Sequence, residues 1–159
     1  MAALTGSVDL QHKGNLDKWK LSVKAVGADT FYAGALVYGD ATNGKAQAVP
    51  VATDYLLGIC AKTKVVTAAD QMVEIYTGGL WAIPCTVAIV EGDVGDVLIM
   101  NIGTTQSDNP ADLVTGTAAT TGANDPLFGK ILAVDATDVT RCWAMLTPGW
   151  IYSTTLGWV

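Results

Sequence analysis

Residues 18–26 read Lys-Trp-Lys-Leu-Ser-Val-Lys-Ala-Val. Trp19, Leu21, Val23 and Ala25 alternate with Lys18, Lys20, Ser22 and Lys24. That period of two puts every apolar side chain on one face of a strand and every lysine on the other. A helix would scatter the same residues around its circumference. Gly27-Ala28-Asp29 then breaks the run.

The rest of the chain repeats this grammar. From Tyr32 onward, short β-prone runs alternate with turn chemistry. Ala35-Leu36-Val37-Tyr38 ends at Gly39-Asp40, and Asn43-Gly44 marks a hairpin. Lys45 to Val51 carries Pro50, which assigns that strand to an edge. Leu56 to Val66 forms a further run. Met72 to Tyr76 follows the turn Ala68-Ala69-Asp70, and Leu80 to Val90 follows Gly78-Gly79. Val94 to Ile102 comes next, after Glu91-Gly92-Asp93. Residues 103–126, rich in Gly, Thr, Ser, Asn and Pro, are expected to form a long loop. Phe128 to Val134, Cys142 to Leu146 and Trp150 to Val159 close the chain. A short helix is expected only at Val66 to Met72 or Asn109 to Leu113. Half the residues are hydrophobic and 15% are charged, which rules against a disordered chain.

A repeat runs beneath the pattern. Gly58-Ile59-Cys60-Ala61 resembles Gly129-Lys130-Ile131-Leu132-Ala133. Each leads through a turn, Ala68-Ala69-Asp70 or Ala136-Thr137-Asp138, into a second strand. Each then ends on glycine and tryptophan, at Gly78-Gly79-Leu80-Trp81 and Pro148-Gly149-Trp150. Upstream, Gly34-Ala35-Leu36-Val37 resembles Gly95-Asp96-Val97-Leu98. The second copy is longer because of residues 103–126. The expected fold is all-β: a compact β-barrel or β-sandwich of two similar β modules sharing a core, with little helix. Residues 1–26 would be an N-terminal arm and first strand, and residues 27–159 the β domain.

Charge is unevenly placed. The net charge is −6, which disfavours nucleic acid as a partner. Yet residues 1–24 set Lys13, Lys18, Lys20 and Lys24 against Asp9 and Asp17. This leading segment is suited to an acidic surface, of its own body or of another protein. Cys60, Cys85 and Cys142 are an odd set at wide spacing, without a Cys-x-x-Cys or His/Cys cluster. They are expected as buried, reduced thiols, consistent with assembly in a reducing cytoplasm. No basic and apolar leader is visible at the start, and no stretch has the length of a membrane helix.

No catalytic or cofactor signature stands out. His12 is the single histidine, flanked by Gln11 and Lys13 with no evident nucleophile, so an enzyme is not expected. Gly92-Asp93-Val94-Gly95-Asp96 lacks the ligand spacing of a calcium loop. Glu91, Asp93 and Asp96 are expected as turn residues. No cofactor and no metal site is expected. Of five tryptophans, Trp81 and Trp143 lie in apolar runs and are assigned to the core. Trp150, Tyr152 and Trp158 crowd the last ten residues and are assigned to a subunit interface, where aromatic side chains remove much apolar area from water.

The order of these segments resembles the small head-decoration (cement) proteins of phage capsids. Ala-Gly-Ala-Leu-Val at 33–37 is followed by Leu-Leu-Gly-Ile-Cys-Ala at 56–61 and by Met-Val-Glu-Ile-Tyr-Thr-Gly-Gly-Leu-Trp at 72–81. Val-Glu-Gly-Asp-Val-Gly-Asp-Val-Leu at 90–98 and Leu-Phe-Gly-Lys-Ile-Leu-Ala at 127–133 complete it. The resemblance covers about residues 30–150 and rests on strand order and turn residues, with no residue role carried over. It implies a homotrimer bound to the major capsid protein on the outer surface of the virion, synthesised in the host cytoplasm, that stabilises the shell. Lys13, Lys18, Lys20 and Lys24 are the candidate capsid-binding residues. The rival expectations are a carbohydrate-binding β module using exposed tryptophans and a tail structural protein.

Overall fold

The computed structural model describes residues 6–49, 54–85, 88–100, 113–115, 127–148, 152–153 and 157–158. In chain order the strands are β1 (His12–Lys13), β2 (Lys20–Lys24), β3 (Asp29–Phe31), β4 (Leu36–Gly39) and β5 (Ala46–Gln47). Then come β6 (Tyr55–Cys60), β7 (Lys64–Val66), β8 (Met72–Tyr76), β9 (Leu80–Pro84) and β10 (Val97–Met100). The last are β11 (Leu113–Thr115), β12 (Leu127–Val134), β13 (Arg141–Leu146), β14 (Tyr152–Ser153) and β15 (Gly157–Trp158). Two 3₁₀ turns, Leu16–Trp19 and Glu91–Asp93, are the helical elements among the described residues.

The chain is all-β and built twice on one plan. The first sheet runs β2-β8-β6-β4-β5 and the second β9-β13-β12-β10-β11, with β1 added outside β9. Substituting β9, β10, β11, β12 and β13 for β2, β4, β5, β6 and β8 turns one order into the other. The registers agree at the pairs the two copies share. Ile59 lies opposite Tyr76 as Lys130 lies opposite Met145, and Leu21 opposite Ile75 as Trp81 opposite Ala144. Both copies carry an irregularity at the same step, between Val37 and Tyr38 and between Leu98 and Ile99. The ladder starts match too: Gly34 N–H donates to Cys60 C=O and Gly95 N–H to Ile131 C=O, each with its glycine at positive φ.

Close backbone approach explains the strand glycines. A methyl on Gly58 would overlap the carbonyl oxygen of Tyr76, and one on Gly129 that of Met145. The repeat seen in sequence as Gly58 and Gly129 is therefore one steric requirement met twice.

The two sheets do not pack symmetrically. Cys60, Val73 and Ile75 of the first sheet face a small core closed by Phe31 of β3 and Val66 of β7. Their counterparts Ile131, Cys142 and Ala144 face a larger core instead, together with Leu36, Leu56 and Ile59 of the first sheet. The second unit thus seats its inner face on the outer face of the first, and both contribute to that core. Among the described residues neither sheet closes into a barrel. The first comes nearest, through a single bridge between Ala25 and Ala46 at its two edge strands.

Several local expectations change. Residues 103–126 are not one loop, because Leu113–Thr115 forms β11 and pairs with β10; residues 103–112 and 116–126 lie outside the described set. Val66 to Met72 is a turn between β7 and β8, not a helix, with Asp70 at φ 68°. Leu113, expected at the end of a short helix, is extended. Asp40 organises the β4–β5 hairpin by accepting from the N–H groups of Thr42 and Asn43.

Candidate interaction surface

Of the arm and the strand left open by the sequence, the structure shows strands at 12–13 and 20–24. The segment begins by binding the connection before β4 and the strand β9: Val8 N–H donates to Ala33 C=O, and Gln11 C=O accepts from Ala82 N–H. Asn15 then caps the 3₁₀ turn by accepting from Asp17 N–H at 2.9 Å, and Leu16 is buried beneath it. The turn delivers the chain to β2, an edge strand of the first sheet.

The edge position changes what the alternation achieves. Leu21 lies opposite Ile75 on the same face, yet Ile75 is fully buried and Leu21 is 53% exposed. Trp19 is 51% exposed, its ring lying over Gly78 and its carbonyl accepting from Thr77 N–H. Val23 is half-buried and Ala25 buried, so the apolar stripe enters the core only at its C-terminal end.

The four candidate lysines divide into two pairs. The Lys13 ammonium lies 4.4 Å from the centre of the Trp143 ring, and that of Lys20 5.7 Å from the centre of Tyr76. Lys18 and Lys24 lie over no ring among the described residues, Lys24 acts electrostatically on Asp70, and all four lysines are exposed. The ion pairs found among the described residues, Lys45 with Asp70 and Arg141 with Asp135, use none of the four. Exposed Trp19 and Leu21 therefore alternate with exposed Lys18, Lys20 and Lys24 along this edge of an otherwise acidic chain. Trp143 is half-buried under Lys13, short of the core position assigned to it, whereas Trp81 is buried and donates its indole N–H to Gly78 C=O.

The C-terminal aromatic residues are less fully placed. Tyr152 pairs across from Trp158 in the β14–β15 ladder, and Trp150 lies outside the described residues.

Other polar groups serve the framework. His12 pairs with Trp81 on β9, with ring centres 5.4 Å apart. Asp93 accepts from Val90 N–H, so this carboxylate caps the second 3₁₀ turn. The described residues contain no group of three metal-ligating side chains. All three cysteines are buried and free, and the sulfurs of Cys85 and Cys142 approach to 3.7 Å. Sequence reading missed two buried acids. Asp54 accepts from Ala41 N–H and the Gln47 amide. Asp135 accepts from Thr137 N–H and O–H and from Arg141 Nε at 2.7 Å. The Asp135-x-Thr137 spacing of an Asx turn is the signal that would have found the second.

Comparison with protein-family models, curated proteins and solved structures finds no match to this chain.

Proposed function

We propose that this chain is a structural virion protein that binds the outer surface of an icosahedral phage capsid as a trimer and stabilises the shell. The reading begins from the resemblance of its segment order to head-decoration proteins. The observation that carries it is the edge of the first sheet, along which half-exposed Trp19 and Leu21 alternate with exposed Lys18, Lys20 and Lys24. Large apolar side chains left in water along an edge that also carries exposed lysines suit a surface that is covered in an assembly. An acidic, apolar shell surface supplies both complements. Each contact is modest, and many copies on a lattice add them.

The test is co-sedimentation with undecorated shells. Wild-type protein is expected to pellet with shells in a salt-sensitive manner. The Trp19→Ser/Leu21→Ser and Lys18→Glu/Lys20→Glu/Lys24→Glu variants should lose at least about tenfold in retention, equivalent to roughly 1.4 kcal/mol. Light scattering of the free protein should give three times the chain mass. Failure of the wild type to bind shells overturns the function, and a monomer at micromolar concentration overturns the trimer.

A further inference from the structure

The duplicated plan exposes one position that is filled in the second unit and open in the first. In the second unit β1 lies antiparallel on the outer edge of β9, with Gln11 C=O accepting from Ala82 N–H at 2.9 Å. The counterpart of Ala82 is Ser22, since Ala82 opposes Trp143 as Ser22 opposes Glu74. No strand among the described residues lies on that edge of β2.

Ladder parity shows which groups the edge presents. Trp19 C=O and Ala25 N–H bond towards β8, to Thr77 N–H and Gln71 C=O. In an antiparallel ladder alternate residues bond to the same side, so Lys20, Ser22 and Lys24 turn their N–H and C=O outward. Val26, next in that series, donates to Ala46 C=O at 2.8 Å, which ends the open stretch. The second unit stops sooner, because Pro84 occupies the place of Lys24 and has no N–H to offer. The open edge is therefore longer than the filled one.

From this we infer that the outer edge of β2, at Lys20, Ser22 and Lys24, accepts an extended acidic segment of another protein as an added antiparallel strand. The filled edge of β9 supplies the geometry. The lysines choose the occupant: Lys20 and Lys24 share one face of β2 and would meet their like in a β2–β2 pair, so a second copy is repelled while alternating acidic and apolar residues are matched. Such residues would set carboxylates beside the two lysines and apolar groups beside Leu21. The inference deepens the proposed function by naming how a shell protein would be held.

The experiment uses the full chain and a short peptide alternating glutamate and valine. Amide NMR shifts at Lys20, Ser22 and Lys24 and the tryptophan fluorescence report binding. The acidic peptide is expected to shift these amides. Placing a proline at its centre, or using Ser22→Pro protein, should weaken binding at least about tenfold. An edge strand tolerates proline where the N–H faces outward. If Ser22→Pro fails to fold, Lys20→Glu/Lys24→Glu serves instead, with the same loss expected. Equal binding by the proline peptide, equal binding by a lysine–valine peptide, or unmoved edge amides would overturn the strand. Self-association through these amides in the absence of peptide would assign the edge to a second copy and overturn the acidic partner. Shells retained equally by wild type and Ser22→Pro would remove the edge but keep shell binding; peptide bound without shell retention would do the reverse.

Discussion

Asp135 shows how a single carboxylate holds a connection in place. It sits where β12 turns towards β13, and hydrogen bonds from Thr137, then the Arg141 guanidinium, draw its pKa down to about 2. A folded-state value below the unfolded one means stability that is fully present above about pH 4 and lost as pH falls through about 2. Asp135→Asn should therefore lower the urea midpoint at pH 7, and the gap to wild type should close as the pH approaches 2. A gap of constant size across that range would show that charge is not what the site uses. Two of the thiols behave in the opposite sense. Burial pushes Cys60 up to about 11, and the hydrogen bond shared with Cys142, followed by burial, pushes Cys85 up. Thiolate is the reactive form. The hydrogen bond with Cys85 lowers Cys142, but all three sulfurs are buried, so at pH 8 a disulfide reagent should find no fast-reacting thiol in the folded chain, whereas all three should react in denaturant. The sequence already carried the buried thiols, in their apolar neighbours. It did not reveal the Cys85–Cys142 approach, because pairing of β9 with β13 is a long-range event.

At the scale of the element, β2 separates periodicity from burial. Alternation over residues 18–26 specified a strand and its two faces, which follow from local geometry, but the strand is confined to Lys20–Lys24 because Lys18 and Trp19 belong to the 3₁₀ turn. The alternation could not specify that β2 is an edge strand, because sheet order depends on residues far along the chain. The consequence is measurable in a cross-strand pair. Leu21 and Ile75 are opposed on one face, yet solvent reaches only Leu21. Leu21→Ser should cost under about 1 kcal/mol, as substitutions on exposed surface do. Ile75→Ala should cost about 2–5 kcal/mol through lost burial and a cavity. Urea denaturation of the two variants decides it, and equal costs would place Leu21 in a core. The same limit explains residues 103–126: turn-rich composition hid β11, whose three residues are stabilised by β10 more than by their own propensity.

For the whole molecule, duplication was legible because glycine leaves a mark that strand-forming residues do not. Val, Ile and Leu exchange freely across a pleated surface, but Gly58 and Gly129 each face a carbonyl oxygen that excludes any side chain. The asymmetric seating of one unit on the other was not legible, since either face of the first sheet is apolar enough to bury. That seating determines how the chain unfolds. Leu36, Leu56 and Ile59 from the first unit share a core with Ile131, Cys142 and Ala144 from the second, so neither unit keeps its packing when the other opens. Gly58→Ala and Gly129→Ala each force a methyl against backbone and should each cost about 1–3 kcal/mol or more. Although they lie in different units, both should move a single unfolding transition to lower denaturant. Far-ultraviolet circular dichroism and tryptophan fluorescence should continue to coincide in each variant. If Gly129→Ala splits the transition in two, with one step at the wild-type midpoint, the first unit stands on the small core behind β3 and β7 by itself. The shared core would then bind the units together without making them one cooperative body.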